Sequence, residues 1–444
     1  MAKSSSTMMI VLLVVGLAIG GGIGYFAAPP KIVEKPGETV EVTVTKEPLE
    51  GKTVKIGNII STTAGVETGV PWADEICEVD LNEFADKLGY DVTFDLLSDN
   101  AEGQAAIHLE KVQSFKAMDV NLVHGGGWSS MASAALSYVN ENNILLWSSS
   151  STSPTLRIAD DNLYRMCPDD TVQAPAIAKM LWSWGIKAII VIQRADSWAD
   201  GIYNILANDY PALGGVIAER IRYAGEVTEF SSYLAQAESK AQDLINQYGA
   251  EHVAIETISF SESVTQVTQA RDYPLIYNLM WFGSDGTAMT TQHLDDAPEE
   301  SDHLKIFSTY AAPGKSEKFY NLFERNMALV AQPIGYYTAC SYDVYFTFLK
   351  SVLEAQSMDP KDLIPLQHKI TYDTWGASGW TLLNEAGDRL ASNYDIWGYG
   401  YDPEGEADFI AYAIYDGTSG QVLWYAEGET PAGVKVPGVS PPGQ

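Results

Sequence analysis

Two clusters of hydroxyl side chains follow apolar stretches of the sequence. The segment ILLWSSSSTSP, from Ile144 to Pro154, places six hydroxyl residues directly after four apolar ones. The segment GGGWSSM, from Gly125 to Met131, places two serines where a helix is expected to begin. Hydroxyls beside the free N–H groups of a helix N-terminus can bind a carboxylate or a similar anion. Each cluster alone also fits a purely structural role, as a helix cap or a loop.

Three further residues follow later apolar stretches and carry different chemistry. Trp198 lies in RADSWADG, Phe260 in SFSES and Asp285 in GSDG. Aromatic rings can cover an apolar ligand or stack on a cation, and a carboxylate can bind an ammonium group. Each residue also has a structural alternative: Trp198 at the edge of a core, Phe260 in packing, and Asp285 as the cap of a helix.

The elements that position these residues are read from the alternation of apolar and helical segments. Short β-branched stretches alternate with segments of helical period, which predicts an α/β fold with two doubly wound parallel sheets. Ligands of such sheets bind beyond the carboxyl ends of the strands, so the two hydroxyl clusters should converge at one edge. The predicted strands are 53–60, 91–97, 120–124 and 144–147 in the first half, and 187–193, 215–221, 252–256 and 274–282 in the second.

Composition excludes several classes of partner. The chain has 444 residues, 58 acidic and 27 basic side chains, and a net charge of −31, which argues against nucleic acid or anionic lipid as a partner. The nucleophile pattern Gly-x-Ser-x-Gly is broken by Met131, and no His-Glu-x-x-His or Cys-x-x-Cys spacing occurs. We therefore expect neither an enzyme nor a metal site.

The three cysteines, Cys77, Cys167 and Cys340, lie far apart in the sequence. One long-range disulfide therefore stays possible, and its pairing stays open.

The two ends of the chain differ from its body. Met8–Ala28 is uncharged and long enough to cross a bilayer, so residues 1–28 are expected to be a membrane anchor, or a signal segment if they are cleaved. Residues 29–52 mix proline with charged and β-branched residues, as an extended spacer would. Residues 428–444 are rich in Gly and Pro and are expected to form a disordered tail.

Over residues 53–427 the sequence resembles the type I periplasmic binding proteins of ABC importers, in particular the branched-chain amino acid and amide receptor family. The resemblance depends on motifs that occur in the family's order. They are VKIGNIISTTAG, GGWSS, SSSSTSP, SWADG, the QAR that ends at Arg271, GSDG, GYYTACSYDVYFTFLKSV (335–352) and SGWTLLNEAGDR.

The resemblance implies two α/β lobes joined by three crossovers, which close on a small ligand. Lobe one would comprise 53–167 and 311–382, and lobe two 168–310 and 383–427, with one transmembrane helix before them. It also implies that the hydroxyl turns of lobe one bind a carboxylate and that Asp285 binds an α-ammonium group beside the rings of lobe two. The implied ligand-binding residues are Ser129, Ser150, Ser151, Thr152, Trp198, Phe260 and Asp285.

The function implied is capture of an amino acid or a related small polar solute at the extracellular face of the membrane. The solute would pass to the permease of an ABC transporter, and no cofactor would be needed. An amide or urea receptor of the same fold is the nearest alternative. A ligand-sensing ectodomain and a surface-structural protein are alternatives of another class.

Overall fold

The structure is a computed structural model that describes residues 31–35, 38–42, 49–390, 393–402, 404–425 and 441. At its start, β1 (Lys31–Lys35) pairs with β2 (Glu38–Val42) as an antiparallel ribbon within the expected spacer. The expected anchor and nearly all of the expected tail lie outside the described residues. Within the described residues, no helix combines the length and the apolarity that crossing a membrane requires.

The first sheet is parallel throughout and has the strand order β4-β3-β5-β6-β7. Successive residues of a strand point to opposite faces, and both faces are buried: Leu122 and Leu145 join one core cluster, whereas Val123 and Leu146 join another. The strands are β3 (Lys52–Ile60), β4 (Val92–Asn100), β5 (Leu122–His124), β6 (Leu145–Ser148) and β7 (Leu163–Arg165).

The second sheet is mixed and has the order β15-β14-β13-β12-β11-β10-β8-β9. The strands from β8 to β12 are parallel, and β13, β14 and β15 extend the sheet in antiparallel pairing. The predicted parallel sheet is present in β8 to β12, and the antiparallel strands are an addition to it. Short hairpins connect β13 to β14 and β14 to β15, and such connections allow only antiparallel pairing. The strands are β8 (Ala188–Arg194), β9 (Val216–Tyr223), β10 (Val253–Ile258), β11 (Met280–Gly283), β12 (Phe307–Ala311), β13 (Tyr394–Tyr401), β14 (Ala407–Asp416) and β15 (Gln421–Trp424).

Helices cover the faces of both sheets. A π-helical segment, Trp72–Glu78, joins the first two helices. The helices are α1 (Val66–Pro71), α2 (Val79–Lys87), α3 (Ala105–Ala117), α4 (Ser129–Glu141), α5 (Asp170–Trp184), α6 (Ser197–Ala212), α7 (Ser231–Tyr248), α8 (Ser263–Ala270), α9 (Pro274–Tyr277), α10 (Thr291–Asp296), α11 (Pro298–Leu304), α12 (Glu317–Val330), α13 (Tyr336–Ala355), α14 (Pro360–Leu363) and α15 (Gln367–Tyr372).

The chain passes between the two sheets after β7, after β12 and before β13. Helices α12 and α13 follow β12 yet pack on the first sheet, where Phe319, Leu322 and Phe348 join the cluster that contains Ile56. The chain therefore builds each lobe from separate stretches of sequence.

All three cysteines are buried free thiols. Burial raises the pKa of each of them, and Cys167 and Cys340 donate to the backbone oxygens of Ser151 and Met166, both at 3.3 Å. The long-range disulfide that the sequence left possible is not formed.

Candidate functional site

A cavity of about 250 Å³ lies where the carboxyl ends of the two sheets face each other. Strand ends of the first sheet contribute Trp128, Ser129 and Ser150, and those of the second contribute Trp198, Phe260 and Asp285. Five of the seven residues implied by the resemblance thus share one cavity. The others among its principal side chains, which sequence analysis did not single out, are Trp128, Tyr310, Tyr337 and Thr290.

On the side of the first sheet, two serines line the cavity. Ser129 is the first residue of α4, which has Trp128 as its N-cap without a side-chain hydrogen bond, so Ser129 is not itself the cap. Its Oγ accepts a hydrogen bond of 3.1 Å from the Ser153 N–H. The Ser150 hydroxyl donates to Gly127 O at 2.8 Å. These hydroxyls stand at a helix N-terminus, where a negatively charged ligand group is stabilised.

Ser151 and Thr152 do not reach the cavity. The Ser151 side chain is buried and donates a hydrogen bond to the backbone oxygen of Gly126, which ties the two hydroxyl clusters together. Thr152 Oγ1 is buried and has no hydrogen-bond partner among the described residues. Ser148, which was not singled out from the sequence, accepts from the N–H groups of Ser150 and Ser151 at 3.3 and 3.0 Å. These contacts give Ser148 and Ser151 a role in shaping the loop.

A buried arginine holds the same loop from behind. Arg165, at the end of β7, has no exposed surface, and its guanidinium donates to Ser151 O at 3.0 Å and to Ser153 O at 2.8 Å. Its Nε donates to Asp388 Oδ1 at 2.5 Å. The pair fixes the loop conformation through two carbonyl groups. Sequence analysis did not single out Arg165, because one arginine at the end of a strand matches no motif.

Three aromatic rings stack along one side of the cavity. Phe260 lies between Trp198, at a centroid distance of 4.3 Å and an interplanar angle of 9°, and Trp128, at 5.0 Å and 16°. The N-cap of α6 orients Trp198, because the Asp196 carboxylate accepts from the N–H groups of Trp198 and Ala199 at 3.1 and 3.0 Å. The stack joins the lobe of the first sheet to the lobe of the second.

Asp285 contributes a carboxylate to the lining of the same cavity. The Tyr337 hydroxyl donates to its Oδ2 at 2.5 Å, while Oδ1 is buried and accepts no hydrogen bond from a described residue. Burial raises the pKa of Asp285, and the bond from Tyr337 offsets part of this effect. A buried carboxylate with an unused acceptor favours a cationic ligand group.

A second acidic residue, Asp170, lies near Asp285 at the start of α5. It is fully buried, and neither of its carboxyl oxygens has a hydrogen-bond partner among the described residues. Burial and then the charge of Asp285 raise the pKa of Asp170 well above its usual range, and the neighbouring Thr152 lowers it in part. Sequence analysis missed this residue, because DD before a helix usually marks a cap, as Asp169 indeed is.

Two lobes with a ligand-sized cavity between the carboxyl ends of their sheets define the class of solute-binding proteins. Residues 80–402 match the family described as "Receptor family ligand binding region", and the chain belongs to this family. Its fold is that of the type I periplasmic binding proteins. An uncharacterized protein of Methanocaldococcus jannaschii is 24% identical over 412 residues, which cover 86% of this chain and 94% of that protein.

Solved structures share the fold at low sequence identity. The leucine-binding protein LivK of Thermotoga maritima has a TM-score of 0.66 at 19% identity and covers 81% of this chain and 98% of its own. LivJ of Streptococcus pneumoniae, in complex with isoleucine, has a TM-score of 0.66 at 17% identity, with coverages of 81% and 99%. A solute-binding protein of R. palustris in complex with 4-hydroxybenzoate has a TM-score of 0.68 at 14% identity, with coverages of 82% and 97%.

Proposed function

We propose that this protein is the extracellular binding protein of an ABC transporter and captures an amino acid or a related small polar solute between its lobes. The observation that carries the proposal is the shared cavity, which is lined by Asp285 together with Ser129 and Ser150. An α-amino acid has an ammonium group and a carboxylate on one carbon, and the cavity offers a partner of the right kind to each.

The aromatic rings that line the cavity come from both lobes, as is expected if ligand binding closes the cleft. Trp198 and Phe260 belong to lobe two and Trp128 to lobe one, so a ligand held beside them contacts both lobes at once. Hinge closure around a ligand is how two-lobed proteins convert such contacts into a conformational change. A permease can recognise the closed form, which makes permease and solute the two partners of the protein.

The arrangement of the chain is part of the proposal. Residues 1–28 would anchor the protein in the membrane and residues 29–52 would serve as the spacer. Lobe one would comprise 53–167 and 311–382, and lobe two 168–310 and 383–427. LivK and LivJ, whose names describe binding of leucine and of isoleucine, support the amino acid among the candidate solutes.

A neutral amide or urea is the second candidate, and the raised pKa of Asp285 is the one observation in its favour. Because burial raises the pKa of this carboxyl, a protonated Asp285 would donate a hydrogen bond to a neutral carbonyl group. The two candidates differ in the charge that the ligand brings to the same oxygen atoms.

Thermal unfolding with a panel of solutes tests the proposal. A ligand that binds only the folded state raises the midpoint in proportion to ln(1 + [L]/Kd), so L-amino acids, acetamide, urea and 4-hydroxybenzoate can be ranked on one scale. We expect L-amino acids to give the largest shifts. A shift with none of these solutes would refute the proposed function.

A further inference from the structure

A second cavity of about 270 Å³ lies next to the first one and is lined mainly by residues of lobe one. The two cavities share Gly127, Ser150 and Tyr337 as lining residues. A Cβ atom at Gly127 would lie 2.1 Å from Ser61 Oγ, so a larger residue here would displace this hydroxyl at the shared wall. The second cavity therefore adjoins the one that Asp285 lines.

The polar groups around the second cavity are uncharged. Its lining contains no Lys, Arg, Asp or Glu among the described residues. Burial lowers the pKa of His124 to about 4, so this imidazole is neutral at neutral pH. A charged end of a solute would lose its hydration here without gaining an opposite charge, which is unfavourable. The principal polar side chains are Asn58, Ser61, Thr68, His124, Ser149 and Thr338.

Part of this wall is a connected hydrogen-bond network. His124 Nδ1 lies 3.2 Å from Asn58 Oδ1 and 2.9 Å from the Tyr345 hydroxyl, and its Nε2 lies 3.1 Å from Ser149 Oγ. Asn58 in turn donates to Ser98 Oγ at 2.9 Å. The network keeps these side chains in place, so the wall is preorganised before a solute arrives.

The rest of the wall has unused hydrogen-bonding capacity. The hydroxyls of Ser61, Thr68 and Thr338 have no side-chain hydrogen bond to any described residue, although all three line the cavity. An apolar group in this space would displace water from these hydroxyls without replacing its hydrogen bonds, and affinity would be lost. A group that both donates and accepts would satisfy them.

We propose that the second cavity binds the far end of the solute, and that this end is an uncharged amide or hydroxyl group. The inference rests on the proposed function, since the ammonium group of the same solute is bound at Asp285. An α-amino acid with a neutral amide side chain, such as L-glutamine, has both features. The side chain of L-glutamate has nearly the same shape but carries a charge. The side chain of L-norleucine has a similar length but no polar atoms.

Titration calorimetry with L-glutamine, L-glutamate, L-norleucine and L-alanine tests the inference. We expect L-glutamine to bind at least about tenfold more tightly than either L-glutamate or L-norleucine, because a site built for hydrogen bonds rejects analogues that lack them. Thr338→Leu places an apolar group in the second cavity and should abolish this preference. The same variant should leave the affinity for L-alanine, which is too short to enter, within about twofold. Thr268→Leu, at an exposed position of α8, is the matched control and should change neither value.

The possible failures are distinguishable. Equal or tighter binding of L-norleucine or L-glutamate would overturn the inference and leave the proposed function standing, as would a preference for L-glutamine that survives Thr338→Leu. If none of the four amino acids binds, this inference is overturned, while the thermal panel of other amino acids, acetamide, urea and 4-hydroxybenzoate decides the proposed function separately.

Discussion

The indole ring of Trp128 stacks on the phenyl ring of Phe260 across the cleft, with 5.0 Å between the centroids. Trp128 precedes α4 in lobe one, whereas Phe260 follows β10 in lobe two. An aromatic pair of this geometry contributes about 0.5–1.5 kcal/mol beyond the area that it buries. The contact therefore favours the closed cleft independently of any solute.

Replacing Trp128 tests this contact. Trp128→Ala should shift the ligand-free protein toward the open form and weaken solute binding by about 1–3 kcal/mol through lost ring contact and apolar burial. Small-angle scattering should show a larger radius of gyration without ligand, and calorimetry the weaker binding. Trp375→Ala, at a ring that is 62% exposed, is the control. Unchanged scattering and affinity in Trp128→Ala would show that the stack has no part in closure.

Asp285→Asn distinguishes the two candidate solutes. The substitution keeps the shape of the side chain and removes its charge. If the solute is an α-amino acid, affinity should fall by about 2–5 kcal/mol, as when one partner of a buried charge pair is removed. For a neutral amide or urea the change should stay within about 1 kcal/mol, the scale of one neutral hydrogen bond. Calorimetry of both proteins with the solute found by thermal unfolding measures the difference, and a near-silent substitution would contradict the amino acid assignment.

The buried carboxyl of Asp170 predicts a pH dependence of stability. Its pKa is raised in the folded state, so the folded protein binds this proton more tightly than the unfolded chain does. The stabilisation from this group is complete below the unfolded pKa and is lost as the pH rises through the folded pKa. Asp170→Asn should therefore raise the unfolding midpoint of the ligand-free protein at neutral pH. The gain should shrink as the pH falls toward the usual range of an aspartate, and a gain that does not depend on pH would contradict the explanation.

Arg165 should matter for the fold and for binding alike. Arg165→Met leaves Asp388 buried without its partner and frees two loop carbonyls, so the free energy of unfolding should fall by about 3–5 kcal/mol. Denaturant unfolding measures this loss. The control is Arg157→Met, because that side chain is 46% exposed and its ion pair with Asp169 should contribute at most about 1 kcal/mol. Equal effects of the two substitutions would show that the loop does not depend on Arg165.

The amino-terminal segment can be removed to test the proposed anchor. Leu49 is the first described residue of the core of lobe one, so a chain without residues 1–28 keeps the whole described body. We expect this chain to be soluble and folded and to bind the same solute, as gel filtration and thermal unfolding would show. Aggregated or ligand-inactive protein would contradict the division into anchor, spacer and body.

Periodicity predicted most of the parallel strands, because strands buried on both faces have continuous apolar stretches. It did not predict β7 or β12. It failed at 274–282, where Pro274 begins the short helix α9 and only Met280–Gly283 is a strand. The family resemblance, not periodicity, implied Ser151 as a ligand-binding residue, and its hydroxyl donates instead to the backbone oxygen of Gly126. Trp128 could not be recognised from the sequence, since its role depends on Phe260 of the other lobe. Asp170 could not be recognised either, since only the fold brings it near Asp285, which is distant in the sequence.

Because Asp285 is buried, ionic strength should affect the association and the dissociation of a solute differently. The net charge of −31 attracts cations from a distance, but salt screens such attraction beyond about 10 Å at 0.1 M. The Asp285 Oδ1 atom is buried, so its contact with a bound ammonium group is screened much less. Rising ionic strength should therefore slow the association of a cationic solute while its residence time in the cleft changes little.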